Sequence, residues 1–389
     1  MSYYTTIFRQ ILQMIPRNRF EAIVKSYGAN RYTKHFTAWN QFIVNLYAQI
    51  SGKDSLRQIE SGLRVNRNSY YHLGLKNMSK SQLSYVNSRR NYQLYQALYY
   101  HLYDRCLDLI PQRKFKFKYP LQILDVTVIK LCLSMFPWAR FRKRKGAIKI
   151  HTLLNHQSSI PSFLVVTDAK RHDVTVAKNA HLPLSPDSIL VMDMAYIDFE
   201  WFRKLDDNRV FYITRAKKNM DYEVLGQQPQ SNNERVLCDQ IVLPHGYQTF
   251  KKYPRKLRKI EYYDEKKDKK FVFITNHFNC NPQTIADIYK TRWNIEIFFK
   301  WIKQNLKIKH FLGTSKNAVM TQIWTALIYY LILAFIKYQT KYNHSMMTFT
   351  IILREALFKN VDIIDLLNLS PGKVKNIRDP VAQRILIQL

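Results

Sequence analysis

The chain has 389 residues, 47% of them hydrophobic, with 61 Lys and Arg against 28 Asp and Glu, a formal charge of +33. That apolar fraction excludes a disordered basic tail, and the length suffices for one large core or two to three smaller ones. So large a positive excess opposes compaction unless a polyanion neutralises it, which argues against an enzyme for a small neutral metabolite and points first to nucleic acid, then to an anionic membrane surface.

Residues 1–110 read as helical: Gly and Pro are sparse, and Phe42, Ile43, Leu46, Tyr47 and Ile50 recur at helical spacing. Residues 1–120 carry 19 Lys and Arg against 5 Asp and Glu, a local charge of +14. Residues 55–75 read as two short helices with a turn around 65–68, Asn68 or Ser69 capping the second. Helix-turn-helix DNA readers and plain helical bundles share that pattern. No export signal is read in residues 1–13. The cysteines, Cys106, Cys132, Cys238 and Cys280, lie far apart without a CxxC pair or a Cys/His ligand spacing, so a reducing compartment, the cytoplasm, is expected.

Composition shifts after the basic, aromatic linker 113–119. Strands are predicted at 121–131, 147–155, 162–168, 188–192 and 210–214, with helices at 173–181 and 198–207, a mixed α/β order. Residues 220–270 read as strand and loop, punctuated by Gly226, Pro229, Pro244, Gly246 and Pro254, and 251–270 hold ten Lys and Arg against four Asp and Glu. A strand follows at 271–275, and Asn281-Pro282 opens a predicted long helix to about Lys307. Residues 316–389 read as helical, with an apolar run at 323–336 too short for the ~20 residues that span a bilayer and therefore expected in a core.

Two carboxylates stand out. Asp125 interrupts an apolar strand and Asp193 ends another, at the kind of strand end where α/β sheets build sites. Either alone is read as a cap or core hydrogen-bonder. The pair, with a third carboxylate from a helix, suggests a divalent metal site of oxygen ligands. On the predicted long helix, Tyr289, Arg292, Glu296 and Lys303 fall within roughly a 60° arc at ~100° per residue, while Ile295, Phe298, Phe299, Ile302 and Leu306 take another. That charged face is either a solvated salt-bridge face or a carboxylate flanked by phosphate-binding groups.

The spacing Tyr289-x2-Arg292-x3-Glu296-x6-Lys303 resembles the YREK signature of DDE transposases in the insertion-sequence family four group. The stretches around 145–154, 165–173, 210–219 and 289–319 are similar to that family, as are 8–19 and 55–75. The resemblance implies an α/β fold: an RNase H-like catalytic core with a β-rich insertion, preceded by an all-α DNA-binding region and followed by C-terminal helices. It divides the chain into 1–112, 120–219, 220–270, 271–315 and 316–389. It implies a catalytic and metal-binding triad of Asp125, Asp193 and Glu296, with Tyr289, Arg292 and Lys303 on phosphates. Mg²⁺ is the implied cofactor, with Mn²⁺ as substitute, two ions ~4 Å apart. The implied reaction is cut-and-paste cleavage at terminal inverted repeats, hairpin formation and strand transfer to target DNA by a homodimer. Two departures are noted: Met194-Ala195 stands where the family has Arg-Gly, and Asn155 where it often has Asp.

Other features accompany the signature. Arg140, Arg142, Lys143, Arg144 and Lys145 form a basic cluster between predicted strands, suited to a DNA backbone or to solvent. Tyr247, Phe250 and Tyr253 are expected mostly in a core, with base stacking as the other reading. His151 and His172 are expected as structural hydrogen-bonders, and Trp293 and Trp301 as helix-packing residues. The rival functions are an RNase H-like nuclease that does not join strands, a non-catalytic transposase-derived DNA-binding protein, and, last, a peripheral membrane protein, for which no basic amphipathic terminal helix is seen.

Overall fold

The computed structural model describes residues 5–109, 119–142, 145–229, 233–305, 311–342 and 344–367. In chain order its helices and strands are α1 (Ile7–Gln13), α2 (Arg17–Ser26), α3 (Ala38–Ile50), α4 (Leu56–Val65), α5 (Tyr70–Leu73), α6 (Lys80–Arg89), α7 (Gln93–Leu109), β1 (Leu121–Leu131), β2 (Arg140–Arg142), β3 (Lys145–Asn155), β4 (Pro161–Asp168), α8 (Asp173–Asn179), β5 (Ile189–Met192), α9 (Phe199–Asp207), β6 (Phe211–Arg215), β7 (Tyr222–Gln227), β8 (Val236–Pro244), α10 (Tyr247–Lys252), β9 (Leu257–Asp264), β10 (Lys269–Thr275), α11 (Pro282–Lys290), α12 (Trp293–Asn305), α13 (Lys316–Gln339), α14 (Met346–Ala356) and α15 (Ile363–Leu366). They fall into two compact units: Met1–Pro111 with Ser134–Trp138 and Lys300–Leu389, and Gln112–Leu133 with Ala139–Phe299.

The first unit is helical. Its helices begin where short polar side chains satisfy otherwise unpaired backbone N–H groups: Thr6, Thr37, Ser55, Ser315 and Ser345 each accept such a bond, and Ser79 forms a reciprocal capping box with Gln82. The 24-residue α13 is long and apolar enough by length and composition to span a bilayer, but 89% of its most apolar window is buried inside the protein. The apolar run at 323–336 therefore sits in a core, as its composition predicts. The buried Arg90 donates to the carbonyl oxygens of Ala29 and Phe36, both at 2.9 Å, and to Gln41 Oε1 at 2.8 Å, so this cation carries no uncompensated polar atoms into the core.

The two short helices expected at 55–75 are present as α4 and α5. The expected side-chain cap is not: neither Asn68 nor Ser69 caps α5, because a 3₁₀ turn over Arg67–Ser69 winds directly into it. Gly74, at φ 65°, ends the helix in the left-handed region that glycine enters without strain.

The second unit is built on a ten-stranded sheet of order β2-β3-β1-β5-β6-β10-β9-β8-β7, with β4 also paired to β3. β1 pairs antiparallel with β3, and β3 with β4, while β1–β5 and β5–β6 are parallel. The strands of 220–270 continue this same sheet, because β9 pairs with β10 and β10 with β6. One sheet face buries Leu124, Leu190, Met192 and Tyr212 with Phe202 and Leu205 of α9. Phe202 stacks on Tyr212 at 4.3 Å, and burying a side chain of this size stabilises by roughly 1.5–3 kcal/mol.

The largest departure from the sequence reading is the helix expected from Asn281 to about Lys307. It is two helices, α11 and α12, broken at Thr291 and Arg292; Lys307 lies outside the described residues. The N–H groups of Thr291, Arg292, Asn294 and Ile295 bond carbonyls three residues back, and Thr291 Oγ1 donates to the Ile288 carbonyl at 2.6 Å. This tightening re-aims the chain between Tyr289 and Glu296, so a single helical arc does not describe the four signature residues.

Candidate active site

The site starts from strand register. In the parallel pair β1–β5, Leu124 lies opposite Met192. Both belong to the buried cluster on the α9 face. The next residues along are Asp125 and Asp193, which the register brings side by side. Asp193 leaves the strand and accepts the N–H of Ala195, capping a 3₁₀ turn over Met194–Tyr196. Neither Met194 nor Ala195 has a positive φ, so this turn makes no demand for glycine.

The third carboxylate comes from α12. Asp125 Oδ1 accepts the Val126 N–H at 2.7 Å, and its Oδ2 accepts from Arg292 Nη1 at 2.8 Å. The other arm of the same guanidinium, Nη2, donates to Glu296 Oε1 at 3.0 Å. Burial drives the Asp125 carboxyl up to about 6; the Val126 N–H and Arg292 pull it down, and the charges of Asp193 and Glu296 push it further up. Asp193 and Glu296 thus each lie within electrostatic reach of Asp125.

Two contacts set where α11 and α12 run. Tyr289 packs its ring against Phe273 of β10 at 5.0 Å and lies 6.0 Å from the Arg215 guanidinium; burial raises its hydroxyl above the ordinary tyrosine range. Asn294 Nδ2 pairs with His156 Nδ1 at 3.0 Å, tying the first turn of α12 to the connection after β3. Asn155, at that connection, accepts the N–H groups of Gln157 and Ser158, a turn that asparagine and aspartate make equally well. The anchor of the loop before α11 is Arg258 of β9. It pairs with Asp239 of β8 in a nearly fully buried bidentate bridge and donates to the carbonyls of His277, Phe278 and Cys280.

The remaining named residues are placed as follows. Lys303 is exposed near the end of α12 and falls in the other unit. Arg140 and Arg142 are strand residues of β2, Lys145 opens β3, and Lys143 and Arg144 lie outside the described residues. Trp293 was expected to pack and is instead 63% exposed, since it lies at the helix break; Trp301 is buried against Tyr330. Of Tyr247, Phe250 and Tyr253, expected mostly in a core, only Tyr253 is there, hydrogen-bonded to Tyr212 and Asp206; Tyr247 and Phe250 are exposed. Buried His151 pairs with Thr167 at 3.0 Å, a structural role as expected; burial lowers it to about 4.

Sequence reasoning missed Tyr196, the aromatic after Asp193, as a neighbour of the site. Its hydroxyl is buried and is raised by that burial and by the charges of Asp125, Asp173 and Asp193. It also missed Asn294 and His156, which no motif marks.

Among the described residues, no three His, Cys, Asp or Glu side chains close around one point as metal ligands; Arg292 stands between two of the three carboxylates. The donor set is nevertheless suited to a hard divalent cation. It is all oxygen, half-buried, and its mutual repulsion is what such an ion relieves.

A family described as a transposase DDE domain matches residues 116–332, more than half of the chain. Residues 4–76 match a family described only as a domain of unknown function. The probable transposase for insertion sequence element IS5377 of Geobacillus stearothermophilus is 28% identical over 232 residues, covering 59% of this chain and 60% of that relative. A protein of Sinorhizobium fredii carrying a transposase name, y4zB, is 29% identical over 249 residues, covering 62% of this chain and 68% of its own length. A chain from a cryo-EM piggyBac transposase synaptic complex with hairpin DNA aligns over 100% of this chain and 86% of that one, with 10% identity and a TM-score of 0.44, too loose to decide the fold.

Proposed function

The chain belongs to the transposase DDE domain family, and on that premise we propose that it is the DNA transposase of a bacterial insertion sequence, cutting and joining DNA at a site made of Asp125, Asp193 and Glu296. The observation that carries this reading is the placement of those carboxylates: Asp125 and Asp193 side by side at the end of a parallel strand pair, and Glu296 bridged to Asp125 through Arg292. The strand order β4-β3-β1-β5-β6, two antiparallel pairings followed by two parallel ones, supports an RNase H-like core. Residues 1–112, helical where described, are the proposed reader of terminal inverted repeats, consistent with the charge of +14 over 1–120. Residues 220–270 are the proposed β-rich insertion and 316–389 the proposed C-terminal region, helical at α13, α14 and α15 among its described residues, and a homodimer would pair two ends in the cytoplasm.

Mg²⁺ or Mn²⁺, held by the three carboxylates, would activate water or a 3′-hydroxyl and neutralise charge on the scissile phosphate. The protein's own groups do the rest. Tyr289, Arg292, Lys303 and the basic residues Arg140, Arg142, Lys143, Arg144 and Lys145 would hold phosphates, and a displacement at phosphorus asks of them only position and charge. Hairpin formation on the element end is part of this proposal. The non-catalytic reading rested on Met194-Ala195 and Asn155, and at both places the local hydrogen bonding is made without the family's usual residue.

The test is cleavage of a duplex from the DNA flanking the reading frame. Wild type is expected to nick it with Mg²⁺ and to join precut ends to a second duplex. Nicking without joining would favour a nuclease; binding without either would favour a non-catalytic protein.

A further inference from the structure

We propose that Arg292 is the built-in counter-cation of the carboxylate site, competing with the divalent ion until a DNA phosphate draws its guanidinium away. This rests on the metal-site reading above and adds a linkage between metal and DNA binding.

One arm of the guanidinium is 2.8 Å from Asp125 Oδ2 and the other 3.0 Å from Glu296 Oε1. The three side chains are 18%, 16% and 42% exposed, respectively for Arg292, Asp125 and Glu296. Two carboxylates this near one another in a half-buried place repel unless a cation lies between them, and the planar fork of arginine fits that role. The same oxygens are the ones a divalent ion would take. An ion and a guanidinium at one place would contend for those oxygens and repel each other, so occupancy by one disfavours the other.

Release requires another partner for the fork. Arginine binds phosphate through the same two-armed geometry it uses for carboxylate. A DNA phosphate at the site would therefore exchange with Asp125 and Glu296, freeing their oxygens for the ion. Arg292 is placed for such an exchange by the break between α11 and α12, where its own N–H bonds the Tyr289 carbonyl. Linkage is reciprocal: if DNA strengthens metal binding through Arg292, metal strengthens DNA binding by the same factor. The consequence is a nuclease site that stays weakly loaded until DNA is in place.

The test is Mn²⁺ binding to the full chain, followed by the electron paramagnetic resonance signal of free Mn²⁺, with and without a duplex from the flanking DNA. Arg292→Gln is expected to bind Mn²⁺ about tenfold more tightly than wild type without DNA, and added duplex to tighten wild type about tenfold while leaving Arg292→Gln unchanged. Arg292→Lys, whose point charge cannot fork between two carboxylates, is expected to fall between them, and it decides the matter if the Gln variant does not fold. Binding by Arg292→Gln no tighter than wild type, or equal tightening of both by DNA, overturns the proposal. Asp125→Asn separates the two levels. If it abolishes binding while Arg292→Gln changes nothing, the metal site stands and the role of Arg292 falls. If it binds as wild type does, both fall.

Discussion

The strand pair β1–β5 and the helix pair α11–α12 meet at a 2.8 Å contact between Asp125 and Arg292, yet different physics places each side. On the strand side, position follows from hydrogen-bond register: once Leu124 lies opposite Met192, Asp125 and Asp193 are neighbours whatever occupies the site. On the helix side, position follows from a local break and from remote anchors at Asn294 and Arg258. The strand carboxylates form a fixed floor. The break and the helix after it carry Arg292 and Glu296, the ion pair on which the proposed exchange for metal and phosphate would act.

Substitutions can perturb the strand side and the helix side separately. Replacing one carboxylate at a time, as Asp125→Asn, Asp193→Asn or Glu296→Gln, is expected to lower strand cleavage about a thousandfold or more while leaving DNA binding in a mobility-shift assay near wild type. Strand and helix carboxylates should then behave alike, despite their different placement. Arg258→Met tests the remote anchor. It leaves Asp239 buried and unpaired, so denaturant unfolding should show a loss of about 3–5 kcal/mol.

A smaller effect probes the strand side. His151 lies opposite Val126 on β3, next to Asp125, and burial lowers it to about 4. The unfolded chain takes up that proton near 6.5 and the folded chain only near 4, so stability falls as pH drops across this window. Thermal melts should show wild type losing on the order of 2 kcal/mol more than His151→Gln between pH 7 and 4.5. The smallest effect expected is that of Asn294→Ala, which removes the tie between α12 and His156. It should cost about 1 kcal/mol and reduce cleavage more than it reduces Mn²⁺ binding to the strand carboxylates.

The same contrast explains what was legible in the sequence. The β1 bounds, 121–131, match the predicted run because a stretch rich in apolar and β-branched residues leaves little choice, even with Asp125 in its middle. The pairing of β1 with β5 was not written in either strand, since register is a relation between segments 60 or more positions apart. The YREK spacing marked Tyr289, Arg292 and Glu296, but the break at Thr291 did not show, because no Pro or Gly marks it and it arises from i→i−3 bonds within helix-compatible residues. The ion pair between Asp125 and Arg292 joins residues 167 positions apart, beyond any local pattern. The burial of Tyr196 within reach of the charges of three aspartates is also a tertiary fact. The exposure of Trp293, likewise, follows from the break and not from its hydrophobicity.

The central claim is that Asp125, Asp193 and Glu296 form one divalent-metal site. Calorimetric titration of Mn²⁺ into the full chain bound to a flanking-DNA duplex tests it most directly. Wild type should bind, and each of Asp125→Asn, Asp193→Asn and Glu296→Gln should weaken binding about tenfold or more while the chain melts as a folded protein. Wild-type Mn²⁺ affinity in any one of the three would contradict it.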